Sequence, residues 1–285
     1  MSISSNRRVL RYAAVWLLLL VVSAVAFVAR PAAVQAEKPK TYYGDSAQLG
    51  DGIARTYVTI DDHKRPVAIG AEFTAAMLTN LPTTATDGHH CYEGHCVGGH
   101  ERILDFPNQV ANTPFQWLLL NWNTHGHVPD GVYSVPHFDF HFFIMDLATR
   151  NTIDPGPCGI VVDCEDYQRG IQPVPPQYLP QDYNDLGAVE AAMGNHLIDL
   201  TAPEFNGQPF TQTFIYGAYE GKISFYEPMI TLAYFQTLPN HCVSLKLPAA
   251  YAVSAYYPTQ YCMRYFAESA TYTVSLEGFE YRAAA

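Results

Sequence analysis

One short block of the sequence concentrates side chains that can bind metals or move protons. Four of the eleven histidines lie within seventeen positions of an apolar, aromatic-rich stretch, and Asp139 lies between the last two: His125, His127, His137, Asp139 and His141. Imidazole and carboxylate groups are common ligands of Zn, Fe, Mn, Cu and Ni. Burying several such groups is costly unless they are paired or bind something. The block therefore predicts a divalent transition-metal cofactor.

The second half of this block alternates between polar and aromatic residues, which is typical of a β-strand with two different faces. One face would carry His137, Asp139 and His141, and the other Phe138, Phe140 and Phe142. Neighbours on one face lie roughly 6.6–6.8 Å apart and can share an ion, whereas residues four positions apart are separated by roughly 13 Å. Further ligands are therefore expected from other parts of the chain.

Other segments offer those ligands. The pair His125 and His127 flanks a flexible glycine, and His196 and Glu227 lie at the edges of predicted strands. The predicted centre is mononuclear, with two or three histidines, one carboxylate and open positions for water or substrate. Whether the protein is an enzyme stays open. If it is, Glu227 or Asp139 is the candidate general base when it is not a ligand.

Two other interpretations of the histidine block also stay open. Its polar residues can form a hydrogen-bonded network without any metal, in a non-catalytic envelope-stress, ligand-binding or self-assembling protein. The clustered histidines can instead sense pH, because imidazole changes charge between about pH 5 and 8.

The N-terminus has the features of an export signal. Arg7, Arg8 and Arg11 precede an apolar run over residues 12–29, and residues 34–36 offer a small-residue cleavage site. The alternative is an uncleaved N-terminal anchor, since the apolar run is just long enough to span a bilayer. Both place residues from 37 onward outside the cytoplasm: in the periplasm, outside the cell, or on the outer face of the membrane.

The exported part is strongly acidic. The chain has 16 basic and 27 acidic residues, and four of the arginines precede residue 37, which leaves 12 against 27 and a net charge of −15. This charge argues against nucleic acid and anionic membrane surfaces as partners, because both require a basic surface. A small-molecule ligand remains compatible with it, as does a homo-oligomer formed through Tyr- and Phe-rich surfaces.

An even number of cysteines in an exported chain predicts disulfides. Six cysteines allow fifteen connectivities, and nearest-neighbour pairing joins Cys91 to Cys96, Cys158 to Cys164 and Cys242 to Cys262. The first pair lies in a loop with four histidines: His89, His90, His95 and His100. Although the loop is similar to a Cys/His metal knuckle, we expect a disulfide-pinned loop with solvated histidines.

The many Tyr, Phe and Pro residues favour a mainly β fold, a β-sandwich or a barrel-like α+β fold with one or two short helices. Residues 37–52 are predicted to be an extended lead-in and 53–285 a single domain, subdivided if at all around the proline-rich segment 155–185. Helices are predicted at 72–81 and 185–193. Strands are predicted at 55–61, 102–106, 115–122, 135–146, 211–219, 222–226, 229–235, 251–257 and 270–279.

Three blocks of the chain resemble a small family of exported bacterial proteins of unknown function. Its founding member is controlled by an extracytoplasmic-stress (sigma-E) factor in a thermophile. The blocks begin GDGIARTYVTID, NWNTHGHVPDG and MGNHLIDL, and the resemblance covers most of residues 48–280. The matching positions are Gly126, His127, Pro129, Tyr133, Pro136, His137, Phe138, Asp139, His141, Gly194, His196, Glu227, Pro228 and Met229. The resemblance implies an exported, largely β protein and supplies no activity; the cysteine-rich loop 88–100 departs from it.

Overall fold

Nearly half of the described chain, residues 38–285 of this computed structural model, consists of β-strands. The strands are β1 (Lys40–Leu49), β2 (Gly52–Ile60), β3 (Pro66–Thr74), β4 (His90–Tyr92), β5 (His95–Val97), β6 (His100–Asp105), β7 (Trp117–Asn123), β8 (His137–Phe143), β9 (Tyr183–Glu190), β10 (Gly194–Asp199), β11 (Gln212–Tyr219), β12 (Lys222–Thr231), β13 (Asn240–Ser244), β14 (Ala255–Tyr257), β15 (Gln260–Phe266), β16 (Thr271–Glu277) and β17 (Glu280–Arg282). The α-helices are α1 (Leu147–Arg150), α2 (Cys164–Gly170) and α3 (Leu232–Phe235), and 3-10 helices span Ala75–Leu78, Asn108–Asn112 and Pro203–Asn206. The predicted mainly β class is confirmed.

Two antiparallel sheets form the framework. The six-stranded sheet has the order β1-β2-β3-β16-β15-β13, and the seven-stranded sheet has the order β6-β7-β8-β12-β11-β10-β9. Aromatic side chains from both sheets meet in the main core, where the rings of Phe73 on β3 and Phe140 on β8 lie 6.1 Å apart. The architecture is consistent with a β-sandwich.

Strand β8 has the two faces that its sequence predicts. Its aromatic residues Phe138, Phe140 and Phe142 enter the core between the sheets. The polar residues His137, Asp139 and His141 are also buried, but on the outer face of the seven-stranded sheet. Loops and a second apolar cluster, which includes Tyr133 and Phe210, lie on that face.

Both predicted helices are corrected by the structure. Residues 72–81 belong to strand β3 as far as Thr74 and then form the 3-10 helix Ala75–Leu78. Strand β3 pairs with β2 and β16, so sheet hydrogen bonding on both sides overrides the local helical spacing. Residues 185–193 lie largely in strand β9, which forms a hairpin with β10.

Several predicted strands have different limits. The predicted strand 222–226 continues through Pro228 to Thr231 as the single strand β12. The rest of the predicted strand 229–235, from Leu232 onward, forms helix α3 instead. The predicted strand 251–257 is reduced to β14 at its end. The proline-rich segment 155–185 contains α2, and most of the lead-in segment 37–52 is strand β1.

The three disulfides join the cysteines as nearest neighbours, as predicted: Cys91–Cys96, Cys158–Cys164 and Cys242–Cys262. Their presence indicates an oxidising, exported environment. The predicted export signal, residues 1–36, lies outside the described residues. No helix among residues 38–285 is long and apolar enough to cross a membrane.

Candidate functional site

A cavity of about 330 Å³ opens on the outer face of the seven-stranded sheet. Its walls combine this sheet with the loop after β7, the β9–β10 hairpin and the disulfide hairpin β4–β5. Six polar side chains on the strands line it: Asn121, Asn123, Asp139, His141, His196 and Glu227. His127 and Glu190 line it from the loop and from the hairpin.

The first group of donors, the Asp139 triad, consists of His127, His137 and Asp139. The Nε2 atoms of His127 and His137 lie 3.4 and 3.2 Å from the carboxylate oxygens of Asp139. Each Nδ1 lies close to a backbone carbonyl, that of Val128 at 2.7 Å and that of Val135 at 2.6 Å. Because a carbonyl can only accept, both Nδ1 atoms carry the proton and direct the Nε2 atoms at the carboxylate.

The second group, the Glu227 triad, consists of His141, His196 and Glu227. The Nε2 atoms of His141 and His196 lie 3.3 and 3.9 Å from the carboxyl oxygens of Glu227. His196 Nδ1 donates to the carbonyl of Ala188 at 3.0 Å, so its Nε2 is also directed at a carboxyl group. The β8–β12 pairs on either side place Glu227 opposite His141.

The two triads have opposite electrostatics. Burial opposes charge on His127, but the hydrogen bond and the charge of Asp139 outweigh it and raise the pKa of His127 to about 9. Burial would likewise raise the pKa of Asp139, but the two imidazoles hold it well below its usual range. The Asp139 triad therefore contains an ion pair at neutral pH.

In the Glu227 triad, burial favours the uncharged form of each group when no metal is bound. Burial lowers the pKa of His141 to about 3 and that of His196 to about 4. Burial raises the pKa of Glu227 well above its usual range, and the nearby charges of Asp139 and Glu190 add to the effect. Desolvation thus dominates here, whereas charge pairing dominates in the Asp139 triad.

Both triads leave buried polar atoms without hydrogen-bond partners among residues 38–285. These atoms are His137 Nε2, Asp139 Oδ1, both ring nitrogens of His141, and Glu227 Oε2. An unpaired buried polar atom costs about 1–3 kcal/mol, and most native polar atoms avoid this cost. Where an imidazole nitrogen and a carboxylate oxygen face each other, their lone pairs repel. A proton shared between the two atoms, or a cation bound by both, removes this repulsion.

The donor sets fit a divalent transition metal. Two ligands about 2.1 Å from one ion lie roughly 3.0–3.4 Å apart at octahedral or tetrahedral angles. Three of the four imidazole–carboxylate distances fall between 3.2 and 3.4 Å; the exception is His196 to Glu227 at 3.9 Å. Two imidazoles and one carboxylate also leave coordination positions open. In three of the four histidines, Nδ1 bonds to a carbonyl, an arrangement that orients metal-binding imidazoles.

Six of the seven predicted ligands therefore lie in the two triads. His137 and His141 belong to different triads, in keeping with their spacing on one strand. His125, the seventh, lines the cavity as an exposed side chain and belongs to neither triad. Glu227 and Asp139, the candidate bases, each provide the carboxyl group of one triad.

The loop around the first disulfide differs in part from its prediction. His89 and His95 are exposed, as expected for solvated side chains. His90 is half-buried, with Nε2 3.2 Å from the Glu101 carboxylate, and His100 is buried with Nε2 2.9 Å from the carbonyl of Thr84. These two histidines are not solvated, because His90 contacts Glu101 on β6 and His100 is itself a buried residue of β6.

Three polar site residues were missed by the sequence analysis: Asn121, Asn123 and Glu190. Asn123 donates to Asp139 Oδ2 at 2.6 Å, and Glu190 lines the cavity with a pKa that burial raises to about 7. Glu190 was missed because residues 185–193 were predicted to form a helix, whereas Glu190 ends strand β9. The glycine at position 194, after the apolar residues 191–193, could have indicated a turn in this segment. In the structure the turn forms a hairpin, and Glu190 pairs with Gly194.

A scan against protein-family models, a search of curated proteins and a search of solved structures found no match to this chain. The geometry of the cavity is therefore the basis for assigning a function.

Proposed function

We propose that this chain is an exported metalloprotein that binds one divalent transition-metal ion at each triad and hydrolyses a small polar molecule in the cavity. The unpartnered buried lone pairs carry this proposal, because both triads present them toward a carboxyl group. The oxidising environment indicated by the disulfides is compatible with Zn, Mn, Fe, Cu or Ni.

A bound ion would act as a Lewis acid, polarising a substrate oxygen or activating water. The chain's own residues would then orient the substrate and move protons. Glu190 is the best-placed base, because it lines the cavity and belongs to neither triad, so its carboxyl group stays available for proton transfer. Asn121, whose Oδ1 is buried without a partner in the described chain, can accept a hydrogen bond from the substrate.

Metal content tests the binding part of the proposal. The full chain is exported into an oxidising compartment and purified without chelator or histidine tag. Plasma mass spectrometry should find about two equivalents of metal, and His127→Ala and His196→Ala should each lose about one. The exposed His241, far from the triads in sequence, provides the control His241→Ala. Wild-type protein that stays metal-free after reconstitution with each of the five ions would contradict the proposal.

Hydrolysis requires a separate test. The metal-loaded protein is screened against p-nitrophenyl esters, phosphate esters and small amides. Glu190→Gln should keep both ions and lower kcat on any active class by about 10²–10⁴-fold, the usual contribution of a general base. A loaded wild-type protein that is inactive on all three classes would remove the hydrolytic part and leave a metal-binding protein.

A structural polar network is the second candidate function for the triads. The ion pair between His127 and Asp139 favours it, because a shared proton already compensates one of the buried carboxylates. In that case the melting temperature should not change with EDTA. A bound ion instead predicts a clear fall, since a ligand specific for the native state stabilises it.

A further inference from the structure

A second cavity, of about 420 Å³, lies on the opposite side of the seven-stranded sheet from the triads. Strands β11 and β12 contribute Tyr216, Ile223 and Tyr226 to its lining. Glu227, which follows Tyr226 on β12, points to the other face of the sheet. The proline-rich segment and the segment around β14 close the cavity, with Tyr178 and Tyr251 among their contributions. Its lining is predominantly apolar and aromatic, unlike the polar lining of the cavity beside the two triads.

The tyrosine hydroxyls around this cavity differ in one respect. Tyr178, Tyr216 and Tyr257 donate to the carbonyls of other residues at 2.9–3.0 Å. The hydroxyl of Tyr226, which also lines the cavity, makes no hydrogen bond in the described chain, but only that of Tyr251 is both buried and without a partner. Just 7% of Tyr251 is exposed. A buried hydroxyl without a partner is unfavourable, so a group that approaches it with a hydrogen bond gains binding energy.

The shape and charge of the cavity narrow the class of ligand. The rings of Tyr251 and Tyr257 lie 3.9 Å apart, so the wall around the unpaired hydroxyl is aromatic. The charged residues at the margin, Glu220 and Lys222, are exposed and of opposite sign. Such a margin gives no advantage to an ionic ligand. The volume lies within the usual range for small-molecule sites.

From these observations we propose that the cavity binds a small, neutral, mostly apolar ring compound with one hydroxyl or carbonyl oxygen. That oxygen bonds to the Tyr251 hydroxyl, and the rings of the tyrosines pack against the apolar body. The site is independent of the proposed metal centre, since the sheet separates the two cavities.

Calorimetry with 1-naphthol and naphthalene on the full chain tests this site. The two probes share a ring system and differ by one hydroxyl group. Wild-type protein should bind 1-naphthol about fivefold more tightly, the usual value of one neutral hydrogen bond. Tyr251→Phe removes only the protein's oxygen and should bring the two affinities together while leaving naphthalene binding unchanged.

Two further variants make the result specific. Ile223→Trp fills the cavity from the start of β12, where Ile223 is half-buried, and should abolish binding of both probes. Tyr256→Phe lies near Tyr251 in sequence but outside the cavity lining and should bind as the wild type does. Absence of binding to the wild type, or equal affinity for the two probes, would overturn the proposal. Chelator treatment should leave the affinities unchanged.

Discussion

Asp139 and His141 are separated by one residue on β8 and project from the same face, yet they belong to different triads. Asp139 is held by two imidazoles from its own side of the cavity, whereas His141 faces Glu227 on the neighbouring strand. The spacing along the strand does not force this division, because His137 and Asp139 are equally far apart and share a triad. The β8–β12 register decides it by placing Glu227 opposite His141. One strand can thus supply a ligand to each of two adjacent ions.

The contrast between the triads predicts different effects of neutralising each carboxyl group. Glu227→Gln should change the stability of metal-free protein by less than about 1 kcal/mol, because burial raises the pKa of Glu227 and so favours its neutral form. Asp139→Asn should cost about 3–5 kcal/mol, because it leaves the charge of His127 without its partner. Urea unfolding in EDTA at pH 7 measures both. Equal losses would contradict the assigned charge states.

The faces of β8 were predictable because strand alternation depends on the local sequence alone. The pattern from His137 to Phe142 separates candidate metal ligands from core groups without any knowledge of the neighbouring strands. The same applies to the disulfides, whose partners are neighbours in the sequence.

The partners in each triad were less accessible to sequence analysis. Pairing of His141 with Glu227 depends on the β8–β12 register, a contact between distant segments. Glu190 enters the cavity only because β9 folds back on β10, and its segment carries helix-compatible spacing. Tertiary hydrogen bonding decided its conformation, as it did for β3, and propensity is a weak guide in such places.

Truncation of Phe140 should lower the stability of the fold without changing the metal content of the candidate site. Its ring packs against Phe73 and Phe235 in the core, while the neighbouring side chains on β8 point to the cavity. Phe140→Ala should lower the free energy of unfolding by about 3–5 kcal/mol. Protein that remains folded should keep its metal content. Phe266→Ala, at a residue that is 45% exposed, is the control and should have little effect. A small loss for Phe140→Ala would argue against its place in the core.

The buried pair of Glu101 and Arg150 predicts a pH dependence. Burial alone would raise the pKa of Glu101, but the hydrogen bond from His90 and the charge of Arg150 outweigh it and lower the pKa below 4.5. A carboxyl with a lowered folded-state pKa stabilises the protein above its unfolded-state pKa. This contribution is lost as the pH falls from about 4.5 through the folded-state value.

Glu101→Gln isolates that contribution. The variant should be less stable than the wild type by about 3–5 kcal/mol at pH 7, because Arg150 stays buried without an anionic partner. The difference should shrink as the pH falls below 4.5, where the wild-type carboxyl also becomes neutral. Urea unfolding from pH 3 to 7 measures it. A difference independent of pH would mean that the ionisation of Glu101 does not stabilise this contact.

Tyr251 and Tyr216 provide a matched pair for the stability of the ligand-free apolar cavity. Both line it, and Tyr216 donates to the carbonyl of Lys246 at 2.9 Å, whereas the Tyr251 hydroxyl has no partner among residues 38–285. Tyr216→Phe should cost about 1 kcal/mol, the usual net value of a hydrogen bond. Tyr251→Phe should be neutral or stabilising, because it removes an unsatisfied polar atom. Thermal and urea unfolding of both variants without ligand measure the difference. Equal destabilisation would indicate that the Tyr251 hydroxyl is already satisfied in solution, for example by water, and would weaken the case for a ligand at that position.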